Sequence, residues 1–140
     1  MRPIYPCLWF DGKAKEAADY YCSLFKDSRI LSENPIVVMF ELNGTTLMAL
    51  NGGPQYKFSP ATSFVINCDT QEEIDYFWEK LGAGGSYNKC GWLDDAFGVS
   101  WQIVPSILGK LMSGPKAPKV VKAFMKMTKF DIAALEEASK

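Results

Sequence analysis

The 140-residue chain contains no histidine, which removes the commonest general base and the commonest metal-ligating side chain together. Little is left that does chemistry. Cysteines stand at positions 7, 22, 68 and 90 with no Cys-x-x-Cys spacing, so neither a zinc ribbon nor a dithiol motif is written here. Cys7 would serve as a nucleophile only beside a cation or base able to draw off its proton. None is adjacent in sequence, and a small buried hydrophobe is the expectation for it and for most of the others. Glu41, in "MFELNG", is the best available general base if its strand face is shielded. On a solvated face it is an ordinary surface charge, and that reading is preferred. Gln102 stands in "GVSWQIVP", residues 98–105, where Val99, Trp101, Ile103 and Val104 suit a buried sheet. An amide there needs hydrogen-bond partners, supplied by neighbouring strands or by a ligand. Strand alternation gives Ser100 the same face as Gln102 and sends Trp101 to the other.

The elements that must hold these residues come in two sets. Ala14, Ala17, Ala18, Tyr21, Leu24 and Phe25 have the spacing of a one-faced helix over about 13–25. Thr70-Gln71-Glu72-Glu73 reads as a capping box opening a second helix, with Ile74, Phe77, Trp78 and Leu81 as its stripe and Gly82 as its stop. "DYYCSLF" at 19–25 and "DYFWEKL" at 75–81 repeat Asp-Tyr-aromatic 56 residues apart. An apolar strand precedes each helix, "IYPCLWF" or "SFVINC". Strand-like runs follow each: "RILSE", "PIVVMFEL" and "TTLMALN" with the turn Asn43-Gly44, then "SYNKCGWL" and "GVSWQIV" joined by residues 94–97. Setting Gly44 opposite Gly98 places Leu47 opposite Trp101 and Met48 opposite Gln102. The expected fold class is α+β: two pseudo-symmetric βαβββ-type modules forming a curved half-barrel sheet with outer helices, plus a C-terminal helical extension. The chain is read as one domain, with module one at about 1–58, module two at about 59–104 and the extension at about 105–140. The extension reads as three short helices, the last capped by Asp131.

Net charge is −1, and no block of like charge points to nucleic acid or a membrane surface. Lysines 119, 122, 126 and 129 are expected to form a solvated helix face. No apolar run spans a bilayer, and the start lacks a signal-peptide pattern, so a cytoplasmic protein is expected.

"LWFDGKAKEAADYYCSLFKDSRI", "ALNGGPQYKF", "CGWLDDAFGVSWQIVP" and "KFDIAALEEA" resemble the PhnB-like branch of the vicinal oxygen chelate superfamily, which includes glyoxalase I, bleomycin-resistance proteins and extradiol dioxygenases. The resemblance covers nearly the whole chain. It implies paired βαβββ modules around a cleft, usually in homodimers. It also carries the label demethylubiquinone methyltransferase, although no glycine-rich turn follows the first strand to admit a cofactor. Metal enzymes of the superfamily set His or Glu ligands on cleft-facing strands, and their last strand often reads Asp-Pro-x-Gly-x-x-x-Glu. Here the matching run is Asp95-Ala96-Phe97-Gly98-Val99-Ser100-Trp101-Gln102, so Gln102 stands at a ligand position. The others fall near Pro6–Cys7, Met48 and Thr62–Ser63. No metal ligand set and no cofactor is expected from these residue types.

The expected ligand-binding residues are Gln102, Ser100, Met48, Asn51, Trp9, Tyr56 and Phe58, with Glu41 and Cys7 as the weak catalytic candidates. Trp92 would join a stacking wall with Trp9, or pack in the core. "NGGPQYKFSP" reads equally as a lip carrying Tyr56 and Phe58 onto a ligand or as a dimer contact. The preferred function is a metal-free small-molecule-binding protein that holds an apolar or aromatic ligand in the sheet cleft, with a second copy of the chain as its other expected partner and neither nucleic acid nor membrane. The alternatives are a lyase, isomerase or transferase-like enzyme recruiting a divalent metal through Glu41 and water, and a homodimeric structural or regulatory protein whose cleft is filled.

Overall fold

A computed structural model describes residues 1–140 as eight strands and five helices. The chain divides into two compact units, 1–58 and 59–140.

In the first unit the elements are β1 (Cys7–Phe10), α1 (Ala14–Leu24), β2 (Arg29–Glu33), β3 (Val37–Leu42) and β4 (Thr45–Asn51). They form a four-stranded sheet in the order β1-β4-β3-β2. β1 runs parallel to β4, and the other pairs are antiparallel. The second unit begins with β5 (Ser63–Cys68), α2 (Gln71–Gly82), β6 (Ser86–Tyr87), β7 (Trp92–Asp94) and β8 (Ser100–Pro105). Its sheet has the matching order β5-β8-β7-β6, again with one parallel pair, β5 with β8. The two-module α+β reading therefore holds, as two separately hydrogen-bonded sheets.

Alternation fixes what each sheet buries. Leu8, Phe10, Val38, Phe40, Leu47 and Ala49 are buried, as are Ala14, Ala17, Ala18 and Tyr21 of α1, which packs on β3 and β4. Three alanines let the helix lie close, and Tyr21 stacks on Phe40 with ring centroids 6.3 Å apart. In the second unit Leu93, Trp101 and Ile103 are buried together with Ile74 and Leu81 of α2, which packs on β7 and β8. Burying each large side chain contributes about 1.5–3 kcal/mol.

The two helices are started differently. Thr70 and Glu73 form the expected capping box of α2. Lys13 offers α1 no side-chain cap; instead the Oδ1 of Asn51, at the end of β4, accepts from the Ala14 N–H at 2.9 Å. The other end of that amide donates to the Pro35 carbonyl at 3.1 Å. Beyond the last strand of each sheet the parallel ladder adds one bond, Gly52 N–H to Phe10 O and Ser106 N–H to Cys68 O.

Several boundaries differ from the sequence expectation. Gly82 does not end α2 by a left-handed turn. It closes the helix against the Tyr87 ring, where an added Cβ would sit 2.1 Å from a ring carbon, and the positive φ falls at Gly84. "SYNKCGWL" is not one strand, because Cys90 and Gly91 take φ of 57° and 79° and split it into β6 and β7. Asp94 belongs to β7 rather than to the following turn. Asp95 organises that turn: buried, it accepts from the backbone N–H groups of Phe97 and Val99 and from Trp101 Nε1.

The extension folds as α3 (Leu108–Met112), α4 (Ala117–Phe124) and α5 (Ile132–Ala138), with Asp131 capping α5 as expected. It packs on its own second unit. Cys90 and Gly91 donate their backbone N–H groups to Met127 O and Thr128 O. The Gln71 side chain donates to Phe130 O and accepts from Ile132 N–H, both at 2.9 Å.

Asn51→Ala removes the borrowed cap and is expected to lower unfolding stability by about 1 kcal/mol, measured by denaturant titration. Asn51→Asp, which keeps the acceptor, should retain most of it. An alanine variant as stable as the parent would contradict the capping role.

Candidate functional site

Within each unit one sheet face carries the helix and the other does not. The helix-free face of the first sheet is read directly from the register. Cys7 is paired with Met48 and Met48 with Met39; Trp9 is paired with Leu50 and Leu50 with Val37. Glu41 lies between Arg29 of β2 and Thr46 of β4. Met48, Trp9 and Glu41 thus share a face and are half-buried; for Glu41 the preferred sequence reading is an ordinary surface charge.

The loop after β4 holds Trp9 in place. Trp9 Nε1 donates to Gly53 O at 2.8 Å, and Gly52 lies so close that a Cβ would meet the indole at 2.3 Å. Tyr56, largely exposed, stands edge-on to Trp9 with centroids 4.9 Å apart. Phe58 goes elsewhere. It contacts Phe10 at 5.3 Å, and Phe10 alternates with Trp9, so Phe58 is on the helix-covered side. Asn51 also belongs to that side and spends both ends of its amide on backbone. Neither residue shares the face of Trp9 and Met48, which corrects the expected site: the contact with Phe10 places Phe58, and the bonds to Ala14 and Pro35 place Asn51.

Cys7 corrects a second expectation: it is exposed rather than buried. Partial desolvation by its surroundings nevertheless raises its thiol pKa, so the thiolate needed for nucleophilic attack is disfavoured. Cys68 is buried, and desolvation, reinforced by Glu73 and Asp69, pushes its pKa up to about 12. Cys22 and Cys90 are half-buried, and all four are free.

The second sheet's helix-free face is more polar. Ser63, Ser100 and Asp94 lie in one cross-strand row, with Val65, Gln102 and Trp92 in the next. Gln102 Nε2 donates to Ser63 Oγ at 2.9 Å. Ser100 Oγ donates to Asp94 Oδ1 at 2.6 Å, and Ser100 itself is buried. Gln102 is half-buried, and its Oε1 makes no hydrogen bond within the chain. Trp101, on the opposite face, is buried against Asp95. The sequence reading names Gln102 and Ser100 for this face and names neither Asp94 nor the hydrogen bond from Gln102 to Ser63. The register Ser63–Ser100–Asp94 depends on where β7 begins, which the split at Cys90-Gly91 determines.

The positions that the resemblance assigns to metal ligands hold Cys7, Met48, Ser63 and Gln102. They fall within the units as a register pair, Cys7–Met48, and a hydrogen-bonded pair, Ser63–Gln102. A thiol of raised pKa, a thioether, a hydroxyl already accepting a hydrogen bond and a neutral amide do not fit a divalent oxygen-and-imidazole chelate. A separate cavity of about 480 Å³ lies between the N-terminal segment and the β3–β4 turn, lined by residues 2–6 and 44–46. It includes none of the expected site residues apart from the neighbourhood of Cys7.

Residues 2–104 match the family described as 3-demethylubiquinone-9 3-methyltransferase. No curated protein matches. Among solved structures, a putative 3-demethylubiquinone-9 3-methyltransferase, PhnB protein, from Bacillus cereus is 34% identical over 74% of this chain and 99% of that one, with a TM-score of 0.68. Protein PA1353 from Pseudomonas aeruginosa is 22% identical over 75% and 98% of the two chains, TM-score 0.61. The fosfomycin resistance protein FosX from Listeria monocytogenes, solved with Mn(II) and sulfate, is 11% identical over 79% and 94%, TM-score 0.60. The last two share the fold.

Alkylation with iodoacetamide should modify Cys7 first in the folded protein, more slowly than a cysteine peptide because its pKa is raised. Cys68 should react only after denaturation. Mass spectrometry finding Cys68 labelled in native protein would contradict its burial.

Proposed function

The chain belongs to the 3-demethylubiquinone-9 3-methyltransferase family, the PhnB-like part of the glyoxalase/bleomycin-resistance superfamily, and from that premise we propose that it is a metal-free small-molecule-binding protein. The ligand is an apolar or aromatic organic molecule carrying at least one hydrogen-bond donor. It rests against the helix-free face of the second sheet, between Trp92 and Val65. The observation that carries this reading is the state of Gln102. Ser63 holds its Nε2, which fixes the amide plane and leaves Oε1 to accept from a ligand. An amide locked at one end loses little rotamer entropy on binding. A hydrogen bond of this kind contributes about 0.5–1.5 kcal/mol, and apolar burial against Trp92 and Val65 supplies the rest.

Methyl transfer, the activity in the family's description, has less support in this fold. Each sheet contains a single parallel pair, so neither has the parallel switch point at which doubly wound sheets hold nucleotide-type cofactors. The N-terminus of α1 is occupied by Asn51 of the same chain. A divalent metal is also outside the proposal. The FosX structure is a complex with Mn(II) and sulfate, whereas Cys7, Met48, Ser63 and Gln102 of this chain provide no carboxylate or imidazole.

A thermal-shift screen of aromatic metabolites and glycopeptide antibiotics of the bleomycin type tests the reading. A true ligand raises the melting temperature in a concentration-dependent way. Gln102→Ala should weaken that ligand about fivefold, the equivalent of one hydrogen bond, with the unliganded melting temperature little changed. Stoichiometric uptake of zinc, nickel or manganese with a rise in melting temperature would favour the enzyme alternative and overturn the proposal.

A further inference from the structure

We propose that the lysine stripe of the C-terminal extension docks the protein on anionic lipid headgroups at a membrane surface. The stripe lies outside residues 2–104, the part that matches the family; the proposal replaces the sequence expectation of a merely solvated face with no membrane partner, and it is independent of the ligand reading above.

Charge is distributed one-sidedly along the chain. Residues 96–130 contain six lysines and no arginine, aspartate or glutamate, while thirteen of the sixteen acidic residues precede position 96. All six lysines are exposed. Only Lys129 has an ion-pair partner, Asp75 at 2.8 Å; Lys110, Lys116, Lys119, Lys122 and Lys126 have none. Lys119, Lys122 and Lys126 follow helical spacing along α4 and the turn that continues it, so they share one side. The other side of α4 is committed: Val120 is fully buried, and Phe124 contacts Phe130 with centroids 6.1 Å apart. The helix cannot turn its cations inward. Three unneutralised lysines on one side of α4 and its continuing turn are therefore a fixed feature of this surface, with Lys110 on α3 and Lys116 at the start of α4 also unpaired.

The neighbours of the lysines favour lipid over nucleic acid. Met125 is 59% exposed beside Lys126, and Met112 is 37% exposed near Lys110. Flexible thioethers set among lysines suit the boundary between headgroups and acyl chains, whereas a phosphodiester backbone gives them nothing to bury against. The stripe has no arginine for bidentate base or phosphate contacts and no exposed aromatic ring for stacking. Each lysine near an anionic leaflet is worth roughly fivefold in partitioning. Of the three acidic residues that follow the lysines, Asp131 caps α5 and Glu136 and Glu137 lie on it, the helix packed against α4. Glu137 pairs with Lys140, and charges farther than about 10 Å are screened at 0.1 M salt.

Co-sedimentation of the full chain with vesicles of equal parts phosphatidylglycerol and phosphatidylcholine tests the proposal. Binding is expected to these vesicles and not to pure phosphatidylcholine, and it should vanish at about 1 M salt. The triple variant Lys119→Gln, Lys122→Gln, Lys126→Gln should lose about a hundredfold in affinity. Lys13→Gln, Lys26→Gln and Lys57→Gln together, all in the first unit, should change it little, and both variants should melt as the parent does. Four results would overturn the proposal: no binding to the anionic vesicles, equal binding to neutral ones, undiminished binding by the stripe variant, or tighter binding to duplex DNA at equal phosphate concentration. Should the stripe variant fold poorly, the salt dependence and lipid selectivity of the parent protein decide the matter.

Discussion

In each unit one pairing governs the rest: the first strand lies parallel to the last, β1 to β4 and β5 to β8. A parallel pair cannot be joined by a hairpin, so the chain must cross over, and here the crossover contains the helix. The helix then covers one sheet face and leaves the other to alternate residues. Phe10 and Ala49 go under α1 while Trp9 and Met48 do not. Trp101 and Ile103 go under α2 while Gln102 does not. The placement of every candidate functional side chain descends from that separation.

The same constraint explains why the two units, alike in topology, differ in chemistry. On the first sheet the helix-free face carries two methionines, a cysteine and a tryptophan, with Glu41 at one edge. On the second, the equivalent face gathers Ser63, Ser100, Asp94 and Gln102 into two hydrogen-bonded pairs. The hydrogen bonds within the second face matter because buried hydroxyl and amide groups are costly unless paired. Ser100 is satisfied by Asp94, and Gln102 is satisfied at one end only. An amide held firmly but left with a free acceptor is suited to orienting a bound molecule.

Much of this was legible in the sequence because it rests on periodicity. The helical stripes, the Thr70 capping box and the Asp-Tyr-aromatic repeat all involve residues close together in the chain, and the offset that sets Met48 against Gln102 matches the burial phase of both strands. What was not legible depends on distant partners. Asn51 reads as a turn residue until β4 delivers it to the N-terminus of α1. Phe58 reads as a loop aromatic until it meets Phe10 on the covered side. Cys7 is apolar in type and is followed by the strand-forming Leu8, Trp9 and Phe10, yet it opens β1, an edge strand, and is exposed. The break at Cys90-Gly91 is stabilised by Met127 and Thr128, nearly forty residues downstream, and no local pattern announces it.

On the proposed reading, the helix-free face of the second sheet receives an organic ligand through Gln102. Proton–nitrogen correlation spectra recorded while a thermal-shift hit is titrated in test it most directly, because the two sides of the sheet carry separate reporters. Shifts of the Gln102 side-chain amide and the Trp92 indole are expected, with the Trp101 indole, held by Asp95 on the covered side, left unmoved. Shifts confined to Trp101 and α2, with Gln102 and Trp92 silent, would contradict it.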